Sequence, residues 1–231
     1  MNLFNDLKAR KALIMQSKGQ NDEAEKIYKE LIEKKYMSAR YLMAYSVMLI
    51  KKCEFENAKK AILLAEKSPD ITEDNKRQIY INYAICLFKM GEQDKAIKLL
   101  EKEHNNHTSG LLQETLGYFY VENADYDKAY DFLTEALDYD DTDPIVLDNM
   151  AQYYYRKPEP DIIKAKEYFE KAINIRPNQI DTLYFLSLYD IKDGKRDEAR
   201  KKLNLALEGN FSPLNFAQKD KINELLQSID N

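Results

Sequence analysis

The sequence predicts an all-α protein: an α-solenoid in which antiparallel helix pairs stack into a right-handed superhelix. Three observations support this prediction. An alanine recurs every 33 to 38 residues, a second small residue precedes each of these alanines, and the 231 residues include only 6 Gly and 6 Pro. A period of this length is typical of repeats in which each unit is one supersecondary element that buries its apolar face against its neighbour.

Each repeat is marked by an alanine on the second helix of its pair. Twelve residues upstream lies another small residue, except in the fifth unit, where Ala151 lies fourteen upstream. Small residues let two helices approach closely where they cross, and larger apolar residues fill the space on either side. The marking alanines are Ala24, Ala58, Ala96, Ala129, Ala165 and Ala199, and the other upstream residues are Ala12, Ser46, Ala84, Gly117 and Ser187.

The connections between helices vary along the chain. Glycines such as Gly91 suit a helix end that needs positive φ. An extra stretch near Pro69–Asn75 lengthens the connection before the third repeat. In the fifth repeat two prolines within Lys157–Pro160 are expected to stop the first helix early. Ser212 and Pro213 are expected to cap and begin a closing helix, whose apolar stripe is Ile222, Leu225, Leu226 and Ile229.

These features resemble the tetratricopeptide repeat family over about residues 5–212. The clearest match is Leu116-Gly117-Tyr118-Phe119-Tyr120 followed by Asp125-Tyr126-Asp127-Lys128-Ala129. The resemblance implies a single domain over 1–231 that binds other proteins and catalyses nothing. Its predicted repeats are 5–38, 39–72, 77–109, 110–143, 144–179 and 180–212, with a capping helix over 213–229.

In a stack of this kind, the first helix of each repeat lines the inner, concave face. The inward positions carry apolar, aromatic and amide side chains, and exposed apolar surface usually marks a binding site. Tyrosines are favoured there because a Tyr hydroxyl needs water or a partner. The alternative is that residues such as Ile81 pack between neighbouring repeats. The predicted partner-binding residues are Met43, Val47, Ile81, Asn82, Phe88, Tyr118, Val121, Asn149, Tyr155, Tyr184 and Phe185.

One specialisation of the family is excluded by the residues at its key positions. Members that hold the acidic C-terminus of Hsp70 or Hsp90 bind it with side chains from three successive repeats. The first repeat supplies Lys and Asn, the second supplies Asn, and the third supplies Lys and Arg. From repeat 4 the matching positions here are Glu114, Tyr118, Asn149, Asp181 and Phe185, and no other register supplies the cationic pair. We therefore expect a protein or peptide partner that is not of the Hsp70/Hsp90 C-terminal type.

Composition also restricts the classes of partner and the cellular location that we expect for this protein. The net charge of −5 is well mixed in sign, which argues against a nucleic-acid partner. The longest apolar runs, such as Tyr45–Ile50, are far below the roughly 20 residues that span a bilayer, and the first residues lack the apolar core of a secretory signal. Two cysteines cannot build a disulfide framework. We expect a cytoplasmic protein without membrane contact.

No catalytic or cofactor-binding pattern is found in the sequence. His104 and His107 are the only histidines, and they fall in a predicted solvated turn without enough neighbours for a metal. Cys53 and Cys86 lack a nearby histidine. We therefore expect no enzyme activity, cofactor or metal. Two alternatives to a peptide-binding adaptor stay open: a self-associating structural scaffold that forms a homo-oligomer, and a non-catalytic regulatory subunit of an enzyme complex.

Overall fold

The computed structural model describes residues 3–230, and residues 1, 2 and 231 lie outside it. Within the described residues the chain forms thirteen α-helices and no strand, which confirms the predicted all-α array of helix pairs. The helices are α1 Leu3–Ser17, α2 Asn21–Glu33, α3 Ala39–Lys51, α4 Phe55–Glu66, α5 Glu73–Lys89, α6 Gln93–Asn106, α7 Gly110–Glu122, α8 Tyr126–Tyr139, α9 Pro144–Arg156, α10 Ile162–Ile175, α11 Ile180–Lys192, α12 Arg196–Leu207 and α13 Lys219–Asp230.

The described residues divide into two compact units, 3–103 and 104–230, with the division inside α6. In the N-terminal unit α1 packs against α2, and α3 against α4. In the C-terminal unit the pairs are α7 with α8, α9 with α10, and α11 with α12. The single domain over 1–231 stays a prediction.

Small residues lie where the helices of a pair cross, as the repeat pattern predicts. Ala12 and Ala24 are fully buried in the first pair, and Ala129 is fully buried in the fourth. At Gly117 a Cβ atom would lie 2.5 Å from Cδ2 of Leu133 and 2.6 Å from its Cγ, and Leu133 is itself fully buried. The crossing of α7 and α8 therefore depends on the absence of a side chain at Gly117.

Five of the six turns inside the pairs contain a residue with positive φ, and the turn between α9 and α10 does not. Gly91 ends its helix with φ 85°, as the sequence suggests, but Cys53 and Ala124 adopt the same left-handed region with φ 59° and 57°. After Ala124 the Asp125 N–H donates to the Tyr120 carbonyl at 3.0 Å, which closes a Schellman-type end. The turn is thus set by the helix-end hydrogen bonds and does not require glycine.

Three sequence-based expectations about the connections need correction. Helix α9 has 13 residues, as do α7 and α11, so Pro158 and Pro160 widen the following turn without shortening the helix. The extra stretch at Pro69–Asn75 is partly absorbed by α5, which begins at Glu73 and runs for 17 residues. His104 lies within α6, not in a solvated turn, and its ring packs edge-on against Phe132 at 5.2 Å.

The closing helix also differs from the prediction. α13 begins at Lys219 rather than at Pro213, because the main chain between them is engaged in tertiary hydrogen bonds instead of helical ones. The predicted apolar stripe is present: Ile222 is fully buried and Ile229 is 4% exposed, and α13 packs against α12. Among residues 3–230, every helix is too short or too polar to cross a bilayer.

The close approach at Gly117 gives a stability prediction. Helix propensity alone favours Gly117→Ala by about 1 kcal/mol, but the new methyl group would overlap Leu133. We expect the substitution to lower the free energy of unfolding by about 1–3 kcal/mol in chemical denaturation followed by circular dichroism.

The matched control for this prediction is a double-mutant cycle with Leu133→Ala, which removes the overlapping atoms. The combined variant should be more stable than the sum of the single effects predicts, by about 0.5 kcal/mol or more. A stabilised Gly117→Ala protein would show that the helices have room to separate.

Candidate functional site

In the N-terminal unit, the predicted binding residues differ in accessibility. Val47 on α3 is 36% exposed and Met43 is half-buried, whereas Ile81 and Phe88 on α5 are buried. Asn82 is buried as well; its Oδ1 accepts a hydrogen bond from Gln78 at 3.0 Å. Of the predicted binding residues in the N-terminal unit, only Met43 and Val47 therefore have side-chain surface that a partner could contact.

In the C-terminal unit, the predicted residues lie on the three first helices α7, α9 and α11. Tyr155 is half-buried, and the others are buried: Tyr118, Val121, Asn149, Tyr184 and Phe185. The chain itself satisfies one of the tyrosines, because the Tyr118 hydroxyl donates to the carbonyl oxygen of Leu214 at 2.8 Å. The residues that cover this inner face belong to the connection between α12 and α13.

We call residues 209–218 the strap. Asp181, which is 7% exposed at the start of α11, binds the main chain of the strap. Its carboxylate accepts hydrogen bonds from the Phe216 N–H at 3.1 Å, the Ala217 N–H at 2.9 Å and Nδ2 of Asn215 at 3.1 Å. Charge-assisted bonds to a buried carboxylate are among the stronger hydrogen bonds in proteins. The strap is therefore held by its backbone as well as by its side chains.

Phe216 anchors the strap on an aromatic stack. Its ring lies parallel to that of Phe185 with centroids 5.0 Å apart, and Phe185 in turn stacks on Phe169 at 4.9 Å. Two cations flank the outer ring: Nζ of Lys221 lies 3.3 Å from the Phe216 centroid and the guanidinium of Arg156 lies 4.6 Å from it. Stacked aromatics and cation–π contacts both favour this position for Phe216.

Beside the strap lies a cavity of about 570 Å³, which we call the acidic cavity. It is bounded by α7, α9, the start of α11 and the strap. Its walls carry four carboxylates and one guanidinium, together with amides and hydroxyls. The charged residues are Glu114, Asp148, Asp181, Glu208 and Arg176, and the polar ones include Thr115, Tyr118, Asn149, Asn178, Gln179, Asn210, Ser212 and Asn215. A cavity of this volume is within the range of small-ligand sites.

Three of the four carboxylates of the acidic cavity are partly or fully removed from water, and the fourth, Glu208, is exposed. Burial, reinforced by the nearby charge of Asp143 and opposed by Arg176, raises the pKa of Glu114 to about 7. Burial also raises the pKa of Asp148, with the adjacent Asp181 adding to the effect, and raises the pKa of Asp181. Each of these carboxyls therefore holds its proton to a higher pH than an exposed carboxyl would.

Hydrogen bonding separates these acids into two kinds. Asp148 accepts bonds from Oγ1 of Thr182 at 2.5 Å and Nε2 of Gln152 at 2.7 Å, and Asp181 is occupied by the strap. Glu114 has no hydrogen-bond or ion-pair partner within residues 3–230. Asn149 is 6% exposed and is likewise without a hydrogen-bond partner in the described part of the chain. The unpartnered polar groups of the acidic cavity therefore include side chains on α7 and α9, and also the buried Oε1 atom of Gln179, which comes just before α11.

The sequence prediction named Asn149 and Tyr118 as binding residues. It placed Glu114 and Asp181 at inward positions without including them among the binding residues, and it did not foresee the strap. One signal was present: the segment Asn210–Phe216 contains two phenylalanines among Asn, Ser and Pro, and these do not share the helical period of the later stripe. The contacts of Phe216 could not be derived from spacing alone, since they join residues far apart in the chain.

Other reactive groups do not form a second site. Burial raises the pKa of the Cys86 thiol to about 12, so it stays protonated at neutral pH. Cys53 is exposed at its turn. The part of the chain that the structure describes contains no group of three or more His, Cys, Asp and Glu side chains arranged to hold a metal ion.

The paired helices, their small-residue crossings and the inner face of first helices define a helical-repeat protein of the tetratricopeptide type. The family model of the tetratricopeptide repeat protein 21 second ARM domain matches residues 5–215, and the chain belongs to this family. A comparison with curated protein sequences found no match.

Solved structures show the same fold. A tetratricopeptide repeat protein from Parabacteroides merdae is similar with a TM-score of 0.80 and 14% identity, covering 100% of this chain and 86% of that one. Pseudomonas aeruginosa pilF is similar with a TM-score of 0.62 and 16% identity over 97% of each chain. A chain of the APC/C hetero-tetramer Cut9–Hcn1 gives 0.68 and 15%, covering 94% of this chain and 41% of that one. At these identities the similarity shows the fold alone.

The hydrogen bonds of Asp181 predict a local change when they are removed. Asp181→Ala leaves the Phe216 and Ala217 amides without their acceptor, so the strap should open more often. We expect amide hydrogen exchange at both residues to quicken by about tenfold or more, corresponding to 1.4 kcal/mol or more in opening free energy. Exchange in α3 provides the internal control, and unchanged protection at Phe216 would contradict this assignment.

The raised pKa of Glu114 predicts a pH-dependent stability. Between about pH 4.5 and pH 7 the folded state keeps a proton that the unfolded state has released, so stability falls as pH rises through this window. Glu114→Gln removes that loss, and at pH 8 the variant should be more stable than the unaltered protein by about 1–3 kcal/mol.

This second prediction is checked by urea unfolding of both proteins at pH 4 and pH 8. Glu167→Gln, which changes an exposed acid on α10, is the matched control and should follow the unaltered protein at both pH values. A stability difference that does not change with pH would mean that Glu114 ionises normally.

Proposed function

We propose that this protein is a non-catalytic interaction scaffold that binds an extended peptide segment of a partner on the inner face of its C-terminal unit. The observation that supports this most directly is the strap. Side chains of α7 and α11 bind its main chain through Tyr118 and Asp181, and its Phe216 rests on an aromatic stack. The same helices therefore hold a non-helical segment by contacts that a second chain can also make.

The acidic cavity is the part of this face that the strap leaves open. It lies between α7, α9 and the strap, and its unpartnered Glu114 and Asn149 are available to hydrogen-bond a ligand. A partner segment that enters here would continue alongside the strap. The interaction would then combine contacts to the repeat helices with contacts to residues such as Asn215.

Affinity capture from a lysate of the source organism, read by mass spectrometry, tests this function. Asn149→Phe puts a ring into the acidic cavity without changing any charge, and Met43→Phe is the matched variant on α3. Replacing Tyr118 would be a poor test, because its buried hydroxyl holds the strap. Partners recovered by the unaltered protein and by Met43→Phe, but lost with Asn149→Phe, support the proposal. Equal recovery by Asn149→Phe excludes this face as the binding surface.

A second function, self-association, is favoured by one feature of the N-terminal unit. Leu3, Leu7 and Ile14 lie on one side of α1 and are 74%, 57% and 55% exposed. Apolar residues exposed in a row often mark a protein interface. Light scattering over a range of concentrations, compared with the double variant Leu7→Lys, Ile14→Lys, tests this candidate. A monomer at every concentration would exclude it.

A further inference from the structure

We infer that the acidic cavity accepts a cationic nitrogen, the guanidinium or ammonium group of a basic side chain carried by the partner peptide. This inference rests on the proposed function and names the chemistry of its ligand. Glu114 on α7 and Asp181 on α11 both line this cavity.

The charge of the cavity supports a cation. Glu114, Asp148, Asp181 and Glu208 face it, and Arg176 is the one cationic side chain among the lining residues. Asp148 and Asp181 are buried and already accept hydrogen bonds from the protein, whereas the half-buried Glu114 accepts none within the described chain. A carboxylate that is partly removed from water without a donor is costly, and a bound cation would relieve that cost.

Gln179 supplies the second, independent observation. It lines the acidic cavity, and its buried Oε1 atom has no hydrogen-bond partner in the described part of the chain. Buried polar groups are nearly always hydrogen-bonded, so an unpartnered amide oxygen beside a cavity indicates a missing donor. This oxygen can accept from an N–H of a guanidinium or ammonium group that also meets Glu114. Asn149 lines the same cavity and has no hydrogen-bond partner within residues 3–230, so its amide oxygen can accept from another N–H.

The arrangement favours an organic cation over a metal ion. A metal would need at least three closely grouped ligands, and no such group occurs in the described residues. The volume of about 570 Å³ is instead suited to a side chain with several methylene groups. An arginine is the stronger candidate, because its fork of donors can serve a carboxylate and an amide together.

Protonation of Glu114 makes the binding affinity of this site depend on pH. With its pKa raised to about 7, Glu114 is largely protonated at pH 6 and ionised at pH 8. The other charged groups near Glu114 or in the cavity lining are Asp143, Asp148, Asp181, Glu208 and Arg176. A cation binds the ionised form, so binding should strengthen as pH rises through 7 and should release a proton near neutral pH.

The test uses an acetylated and amidated peptide with one arginine among alanines, and the same peptide with citrulline, which has nearly the shape of arginine without its charge. Affinity is measured by calorimetry, and the site is located by the NMR signal of the Asn149 side-chain amide. Proteins compared are the unaltered chain, Glu114→Gln, and Glu167→Gln as the exposed-acid control. Spermidine is a third probe, which distinguishes a free polyamine from a peptide side chain.

We expect the arginine peptide to shift the Asn149 signal and to bind about tenfold or more tightly than the citrulline peptide. Glu114→Gln should weaken it about tenfold, Glu167→Gln should not, and affinity on the unaltered protein should rise between pH 6 and pH 8. Equal binding of the two peptides, no binding of the arginine peptide, or unchanged binding to Glu114→Gln would overturn the inference. Tighter binding of spermidine than of the peptide would overturn the peptide as the source.

The two proposals fail in different ways. If Asn149→Phe loses captured partners while the arginine and citrulline peptides bind alike, the face binds a partner but does not select a cation. If Asn149→Phe retains every partner, the proposed function itself is wrong, whatever the peptides show.

Discussion

A carboxylate that lies away from water must find hydrogen-bond donors, and the organisation of the C-terminal unit depends on where Asp181 finds them. They come from the main chain at Phe216 and Ala217 and from the amide of Asn215. Because of those bonds, the chain after α12 crosses the inner face as the strap and does not form a helix there. The position of Phe216 on Phe185, the bond from Tyr118 to Leu214 and one wall of the acidic cavity follow from this path of the chain.

The repeat architecture supplies the surface that the strap crosses. Close helix crossings, such as the one at Gly117, set the spacing within each pair, and the first helices α7, α9 and α11 present their polar and aromatic side chains to one face. The strap consequently covers part of this face, and the acidic cavity is the part that stays open. Where the face is covered, apolar and backbone contacts dominate; where it is open, unpartnered Glu114 and Asn149 remain. This contrast is the physical basis for expecting a charged ligand group beside an extended chain.

The helix pairs could be predicted from the sequence because their determinants are local and repeated. Small residues recur in all six pairs, twelve residues apart in five of them, and the structure differs mainly in details such as the length of α9. Binding residues were harder to predict. Tyr118 was expected to offer its hydroxyl to water or a partner, yet this hydroxyl donates to Leu214, which belongs to a connection far along the chain. Pro213 was expected to begin a helix, since no local signal announces the partnership of Asp181 with Phe216.

The strap and the acidic cavity both depend on the conformation of residues 213–218, which NMR Cα chemical shifts and ring-proton contacts measure. We predict non-helical shifts over these residues, helical shifts from Lys219, and contacts between the rings of Phe216 and Phe185. Continuous helical shifts from Pro213 into α13, without contact between the two rings, would contradict this prediction, because the strap and the wall of the acidic cavity would not exist.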